Sequence, residues 1–444
     1  MSSKKRKRIP FALLISILVL WVPGQTLGSP FGKVIDLLTG HPIKGAIVGL
    51  NNRVVLTDEN GFFPFQITDA KLSVRAYGYK KSEEVIKPSS VIPIAKPGSP
   101  LIVGLVPFTP KGLYLSFYGI GDRTIRESSL KLAQENGLNS LVIDVKGDRG
   151  MIPYKSNVSL SSQIGGQRII TVRDIHDLMT SLKEKDIYTI ARIVVFKDNL
   201  LAMARPDLAV KNPRSEIWRD RENLAWVDPF MKEVWDYNIE IAIEAAQLGF
   251  DEIQFDYVRF PDDGSPLFSQ PNTLENRVKA ITGFLMESRK RLAPHNVYLG
   301  ADIFGYVLWN QNDTNIGQRL EDLAPHVDYL SPMLYPSGFQ YGIPGYRIPV
   351  SNSYEIVYLT LKRAQERTNL PSVRFRPWLQ AFRDYAFDKR AFGDKEISDQ
   401  IHAANQFGSH GWMLWNPSNI YTSAGLRRGN ALDRLVLWSS RDSS

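Results

Sequence analysis

From Gly112 onward the chain alternates apolar, β-rich runs with amphipathic helical runs, and the alternation persists to Asn416. Strand candidates cover Gly112–Phe117, Ser140–Lys146, Tyr188–Phe196, Glu252–Phe260, Val297–Phe304, Val327–Tyr335, Phe375–Phe382 and Gly411–Asn416. Helical stretches fall between them at Asp122–Asn136, Val172–Lys185, Pro229–Leu248, Thr273–Leu292, Tyr354–Arg367 and Lys395–Phe407. Strands separated by helices run parallel, because each helix carries the chain back to the start of the next strand. Eight of them predict a closed (β/α)8 TIM barrel with enlarged loops over residues 110–420. No Gly-x-Gly-x-x-Gly follows the first strand, which argues against a dinucleotide-binding sheet. Two long insertions, Lys197–Val227 (with Trp218 and Trp226) and Pro336–Ser353, leave the C-terminal ends of strands. That is the end where barrel enzymes build their sites.

A different pattern precedes the barrel. Short alternating segments at 32–36, 42–50, 56–63 and 72–79 are broken by Gly and Asn, and predict a small all-β sandwich over residues 30–107. The Gly45-Ala46-Ile47-Val48 strand, the Thr57-Asp58-x-x-Gly61-x-Phe63 turn and the closing Gly78-Tyr79 resemble the carboxypeptidase regulatory-like domain. That resemblance implies a sugar-binding or anchoring module, or else a rigid spacer. A link rich in Pro, from Pro93 to Pro110, joins the two regions.

The formal net charge of +8 invites a nucleic-acid reading, but Lys4, Lys5, Arg6, Lys7 and Arg8 carry five of those charges. The rest of the chain is nearly balanced and holds no basic stripe with interleaved aromatics, so nucleic acid is not an expected partner. The basic run opens an apolar stretch from Ile9 to Val22, followed by Pro23, Gly24 and small residues up to Gly28. Residues 1–28 therefore read as a signal peptide, or as a membrane anchor through residues 9–22, and the protein as exported: periplasmic, cell-surface or extracellular. With no cysteine, disulfides and thiol catalysis are excluded. The histidines at 41, 176, 295, 326, 402 and 410 have no metal-ligand spacing, so neither a metal nor another cofactor is expected. Asp262-Asp263-Gly264 reads as a solvated turn rather than a calcium loop, and residues 421–444 as a C-terminal tail.

Strand four is the most telling. Glu252, Gln254, Asp256 and Val258 share one face at period two, and a face with acid, amide and acid cannot be the apolar wall packed on helices. Asp256, near the exit end, serves either a site or a buried ion pair with Arg259 or Lys146. Strand five offers Asp302 at the same depth, and strand two offers Asp144 and Lys146 on one face. Strand six ends in Met333 and Tyr335, strand seven in Trp378 and Gln380, and strand eight in Trp415. Tyr114 and Ser116 on strand one also lean toward this rim. Asp328, at the start of strand six, lies on the stability face. Carboxylates, amides, hydroxyls and an indole floor converging on one rim describe a sugar site.

The segment Phe255-Asp256-Tyr257-Val258-Arg259-Phe260-Pro261 resembles the glycoside hydrolases of the barrel superfamily, and that resemblance covers nearly all of residues 110–420. More distantly, the layout is similar to family 18 chitinases, whose strand four carries Asp-x-x-Asp-x-Asp-x-Glu, strand six Met-x-Tyr-Asp and strand eight a floor Trp. The matching positions here are Asp251, Gln254, Asp256 and Val258; Met333, Tyr335 and Pro336; and Trp415. Val258 replaces the chitinase acid, so that mechanism does not transfer. The alternative is similar to the alpha-amylase-like barrel. It implies that Asp256 attacks or stabilises the anomeric carbon while Asp302 protonates the leaving oxygen. Asp144, tuned by Lys146, is the alternative acid. Arg259, Lys146, Tyr335, Gln380, Trp378 and Trp415 are then expected to bind substrate. The expected activity is hydrolysis of a polysaccharide by two carboxylates. The competing expectations are a non-catalytic carbohydrate-binding barrel and a metal-assisted hydrolase.

Overall fold

The computed structural model describes residues 31–50, 53–64, 70–86 and 100–426. The segment read as signal or anchor, and the stretch from 427 onward, lie outside the described residues. The chain divides into two units at Pro107/Phe108.

The first unit contains strands β1 (Phe31–Asp36), β2 (Ile47–Leu50), β3 (Arg53–Leu56), β4 (Phe62–Pro64), β5 (Ala70–Arg75), β6 (Ser82–Ile86) and β7 (Leu101–Leu105). They form two sheets, ordered β4-β1-β7 and β3-β2-β5-β6. Val34, Phe63 and Val103 of one sheet meet Val48, Leu72 and Val74 of the other in a common core. The Thr57–Phe63 turn is fixed by short-range chemistry. The Asp58 carboxylate accepts from the backbone N–H of Asn60 and Phe62, at 2.9 and 2.8 Å. Gly61 takes φ +76°, and a Cβ there would lie 2.5 Å from the Val34 carbonyl oxygen.

The second unit is a closed barrel of parallel strands: β8 (Lys111–Leu115), β9 (Ser140–Lys146), β10 (Tyr188–Val194), β11 (Glu252–Asp256), β12 (Tyr298–Phe304), β13 (Tyr329–Met333), β14 (Trp378–Gln380) and β15 (Trp412–Trp415). The last strand closes onto the first, with Met413 opposite Gly112. Six connections carry helices of ten residues or more: α1 (Arg123–Asn136), α2 (Ile175–Glu184), α3 (Lys232–Gln247), α4 (Leu274–Leu292), α5 (Ser353–Thr368) and α6 (Asp394–Phe407). These are the (β/α)8 barrel and the helices expected from the alternation. Caps set several starts: Asp122 accepts from Ile125 N–H, Asp174 from Asp177 N–H and Thr273 from Asn276 N–H. Left-handed Gly137 and Gly408 end α1 and α6.

Alternate residues of each strand face opposite ways. Leu141, Ile143, Ile193, Ile253 and Phe255 join the helices in the main hydrophobic cluster, where the Phe255 and Phe284 (α4) ring centroids lie 4.8 Å apart. The inward set is polar: Asp144, Arg192, Glu252, Gln254, Asp256, Asp302 and Ser331 are all buried. Tyr421 and Leu426 do not behave as a tail. The Tyr421 hydroxyl donates to the Tyr114 carbonyl at 2.9 Å, and Leu426 is buried in the barrel's cluster.

Candidate active site

Strand β11 stops at Asp256 because Tyr257 adopts φ +46°, a left-handed conformation uncommon for a residue with a side chain. The turn lets Tyr257 N–H donate to Asp256 Oδ1 at 2.6 Å. It also breaks the period, so Val258 is wholly buried among apolar residues instead of continuing the acidic face.

The partner of Asp256 is neither Arg259 nor Lys146. It is Arg192, from the middle of β10, whose Nε and Nη2 donate to Asp256 Oδ2 at 2.9 and 2.5 Å. The same guanidinium reaches Asp144 Oδ1 through Nη1 at 2.6 Å. Asp144 Oδ2 accepts from the Tyr114 hydroxyl at 2.7 Å, and burial pushes the Asp144 carboxyl up against the pull of Arg192 and Tyr114. Tyr114 stacks on Trp415 with centroids 3.9 Å apart, and Arg192 lies 4.9 Å from the Trp415 ring centre. A lone Arg in the run Tyr188-Thr-Ile-Ala-Arg192-Ile-Val194 was the available signal for this residue. It stands in phase with Tyr188 and Ile190 and so points inward.

Asp302, two residues before the end of β12, is 1% exposed. Its Oδ1 accepts from the Trp378 indole N–H at 2.7 Å, while Oδ2 is buried with no hydrogen-bond partner among the described residues. Burial, and then the neighbouring Asp256 charge, hold this carboxyl well above the usual range, which favours its protonated form.

A cavity of about 270 Å³ opens above this layer, lined by Arg192, Asp256, Arg259, Tyr335, Trp378 and Trp415, among others. Asp302 is not among its lining residues but is bonded to Trp378, which is. The remaining expected residues divide. Lys146 does not reach the cavity. The register between β9 and β10 shifts after Arg192, so Lys146 faces Ile193 and turns outward. There it is 0% exposed and pairs with Asp198 at 2.6 Å, which also removes it as the group tuning Asp144. Gln380 is likewise withdrawn, donating to Ser337 Oγ at 2.7 Å and accepting from Ser337 N–H at 3.0 Å. Ser116 caps a short helix, accepting from Gly119 N–H. Asp328 is tied to Arg289 and to Leu299 N–H. Asp262 and Asp263 pair with Arg259 and Arg221. Among the described residues, no three His, Asp or Glu side chains are grouped to hold a metal ion.

Several solved structures share this architecture. A β-galactosidase from the psychrophilic Marinomonas ef1 aligns with a TM-score of 0.53 at 10% identity, over 74% of this chain and 60% of that one. The PgaB (BpsB) glycoside hydrolase domain from Bordetella bronchiseptica aligns at 0.51 and 15% identity, over 74% and 98%. These two show the barrel fold. A hypothetical protein from Ruminiclostridium thermocellum is 36% identical over 43% of this chain and 96% of its own, at a TM-score of 0.38. No curated protein matches the sequence. A family model described as "Putative glycosyl hydrolase domain" matches residues 112–421, the whole barrel from β8 past β15, and the chain belongs to that glycosyl hydrolase family.

Proposed function

We propose that this protein is an exported glycoside hydrolase that cleaves a polysaccharide, with Asp256 and Asp302 as its working carboxyls. One observation carries the reading. Neighbouring strands carry, toward their C-terminal ends, two carboxyls whose surroundings are opposite, and such pairs divide acid and base roles. Asp256 lines the cavity and is ion-paired with Arg192. Asp302 is desolvated, favours its protonated form and has an oxygen with nothing to bond. In the proposed reaction the substrate reaches Asp302 by displacing the cavity-lining Trp378 indole from it, and Asp302 gives its proton to the departing glycosidic oxygen. Asp256 meets the positive charge that develops at the anomeric carbon, and water completes the cleavage. Arg192 holds Asp256 in place and anchors itself on Asp144, which makes Asp144 a positioning residue. Trp415 and Tyr335 on the cavity wall supply stacking and hydroxyl contacts for the sugar ring. Export rests on the basic run Lys4–Arg8 followed by the apolar stretch to Val22.

The test is a hydrolysis screen of the full chain against soluble and cell-wall glycans, with Asp256→Asn alongside. Release of reducing ends by the wild type, reduced about 100-fold or more in the variant, is the expected result. Equal binding of a glycan by both proteins without cleavage would make the barrel a binding module.

A further inference from the structure

The Lys197–Val227 insertion builds a second cavity, of about 120 Å³, whose lining includes Trp218, Trp226, Asp220 and Arg221. Tyr257 and Arg259 line both this cavity and the one above Asp256, so the two are neighbours across a shared wall. Arg259 lies over Trp226 and Tyr257, 5.1 and 5.3 Å from their ring centres. Its Nη1 donates to the Phe260 carbonyl at 2.9 Å and pairs with Asp262 at 3.3 Å. Its Nε and Nη2 have no partner among the described residues, which leaves donors at the shared wall.

The other cations of the second cavity are each paired, and the cavity's carboxylates exceed its cations by one. Lys197 pairs with Asp220 and Glu222, at 3.1 and 2.9 Å, and Arg221 with Asp263 at 2.9 Å. The Trp226 indole N–H donates to Asp220 at 2.9 Å, and Trp218 packs edge-on against Trp226. Paired cations, one carboxylate in excess, indole edges and spare N–H donors suit an uncharged polyhydroxyl ring better than an anion.

We propose that this second cavity binds the adjacent, uncharged sugar unit of the same glycan chain, with Arg259 bridging the two units. The enzyme is then selective for oligomers over single-sugar glycosides. The proposal rests on the glycoside hydrolase reading above.

The test uses 4-nitrophenyl glycosides of one to five glucose, galactose or N-acetylglucosamine units, with polygalacturonate as a charged control. On the series that is cleaved, kcat/KM is expected to rise about tenfold or more from one unit to two or more. Trp218→Ala should reduce that long-to-short ratio. Arg221→Ala, at an exposed side chain, should reduce it in a protein whose folding is not in question. Binding of the same oligomers to Asp256→Asn, measured by calorimetry, should tighten with the second unit. Cleavage that is indifferent to length, or a ratio that neither variant changes, overturns the second site and leaves the hydrolase reading standing. Preferential binding of polygalacturonate overturns its neutrality. Neither cleavage nor binding of any probe overturns both readings together.

Discussion

The barrel interior holds two arginine–carboxylate clusters, one above the other, which look alike in burial and differ in what they face. In the lower cluster, Arg376 donates to Glu252 at 2.5 Å and to the His410 carbonyl at 3.0 Å, and lies 4.2 Å from the Tyr329 ring centre. Tyr188 donates to the same carboxylate at 3.0 Å, and His410 stacks on Tyr329. Nδ1 of His410 faces an Arg376 N–H, so the proton sits on Nε2, which donates to the Phe108 carbonyl at 2.6 Å. Burial and the Arg376 charge hold His410 well below its ordinary range, hence neutral. Arg192 makes equally short contacts in the upper cluster, but there Asp256 and Arg192 border a cavity; an unbonded carboxyl oxygen occurs in both layers, on Asp302 and on Glu252. A buried ion pair alone therefore does not mark a site. Access to a cavity does.

The largest expected effect comes from Arg192→Met, which strands Asp256 and Asp144 together. Removing one partner of a buried pair costs about 3–5 kcal/mol, and denaturant unfolding reads that loss. Hydrolysis should fall by about 100-fold or more even in the fraction that folds, since the working carboxylate loses its orientation. Arg376→Met sharpens the contrast. A similar loss of about 3–5 kcal/mol is expected from the orphaned Glu252, with the rate per folded molecule kept within a few-fold. A selective loss of rate in Arg376→Met would break the division between the layers.

Asp302→Asn separates chemistry from stability by pH. The native protein keeps a proton on Asp302 that the unfolded chain releases above about pH 3.9. Stability is thus fully present below that value and is lost as pH rises through the raised native pKa. The Asn variant does not titrate, so its stability relative to wild type should climb across that window, by up to about 1.4 kcal/mol per pH unit. Thermal melts from pH 4 to 8 check this, and a flat difference would show that Asp302 is ionised in the fold. The variant should also be nearly inactive. The smallest effect expected is Gly300→Ala, whose Cβ would lie 2.9 Å from Glu252 Oε1. Overpacking of this kind costs about 1–3 kcal/mol, readable as a lowered Tm with activity retained.

Much of the fold was legible because strand and helix periods differ and a barrel repeats them eight times. Ser140–Lys146 is a strand over the very residues read from sequence, and all six long helices lie where expected. Asp256, Asp302 and Asp144 were legible as inward acids by period alone. Their partners were not. Pairing across a barrel joins residues as far apart as Glu252 and Arg376, a relation that no local pattern encodes. Lys146 was misplaced because one register shift reverses a side chain. Val258 was misplaced because the left-handed Tyr257 ends the strand, and nothing in Phe255-Asp256-Tyr257-Val258 announces that turn.

The most direct measurement sets Asp256→Asn beside Glu252→Gln, comparing hydrolysis rate per folded molecule and unfolding free energy in the same preparation. Asp256→Asn is expected to fold and to lose about 100-fold or more in rate. Glu252→Gln should keep its rate within a few-fold and lose stability. Comparable rate losses in both, or a fully active Asp256→Asn, would contradict the assignment of chemistry to the upper layer.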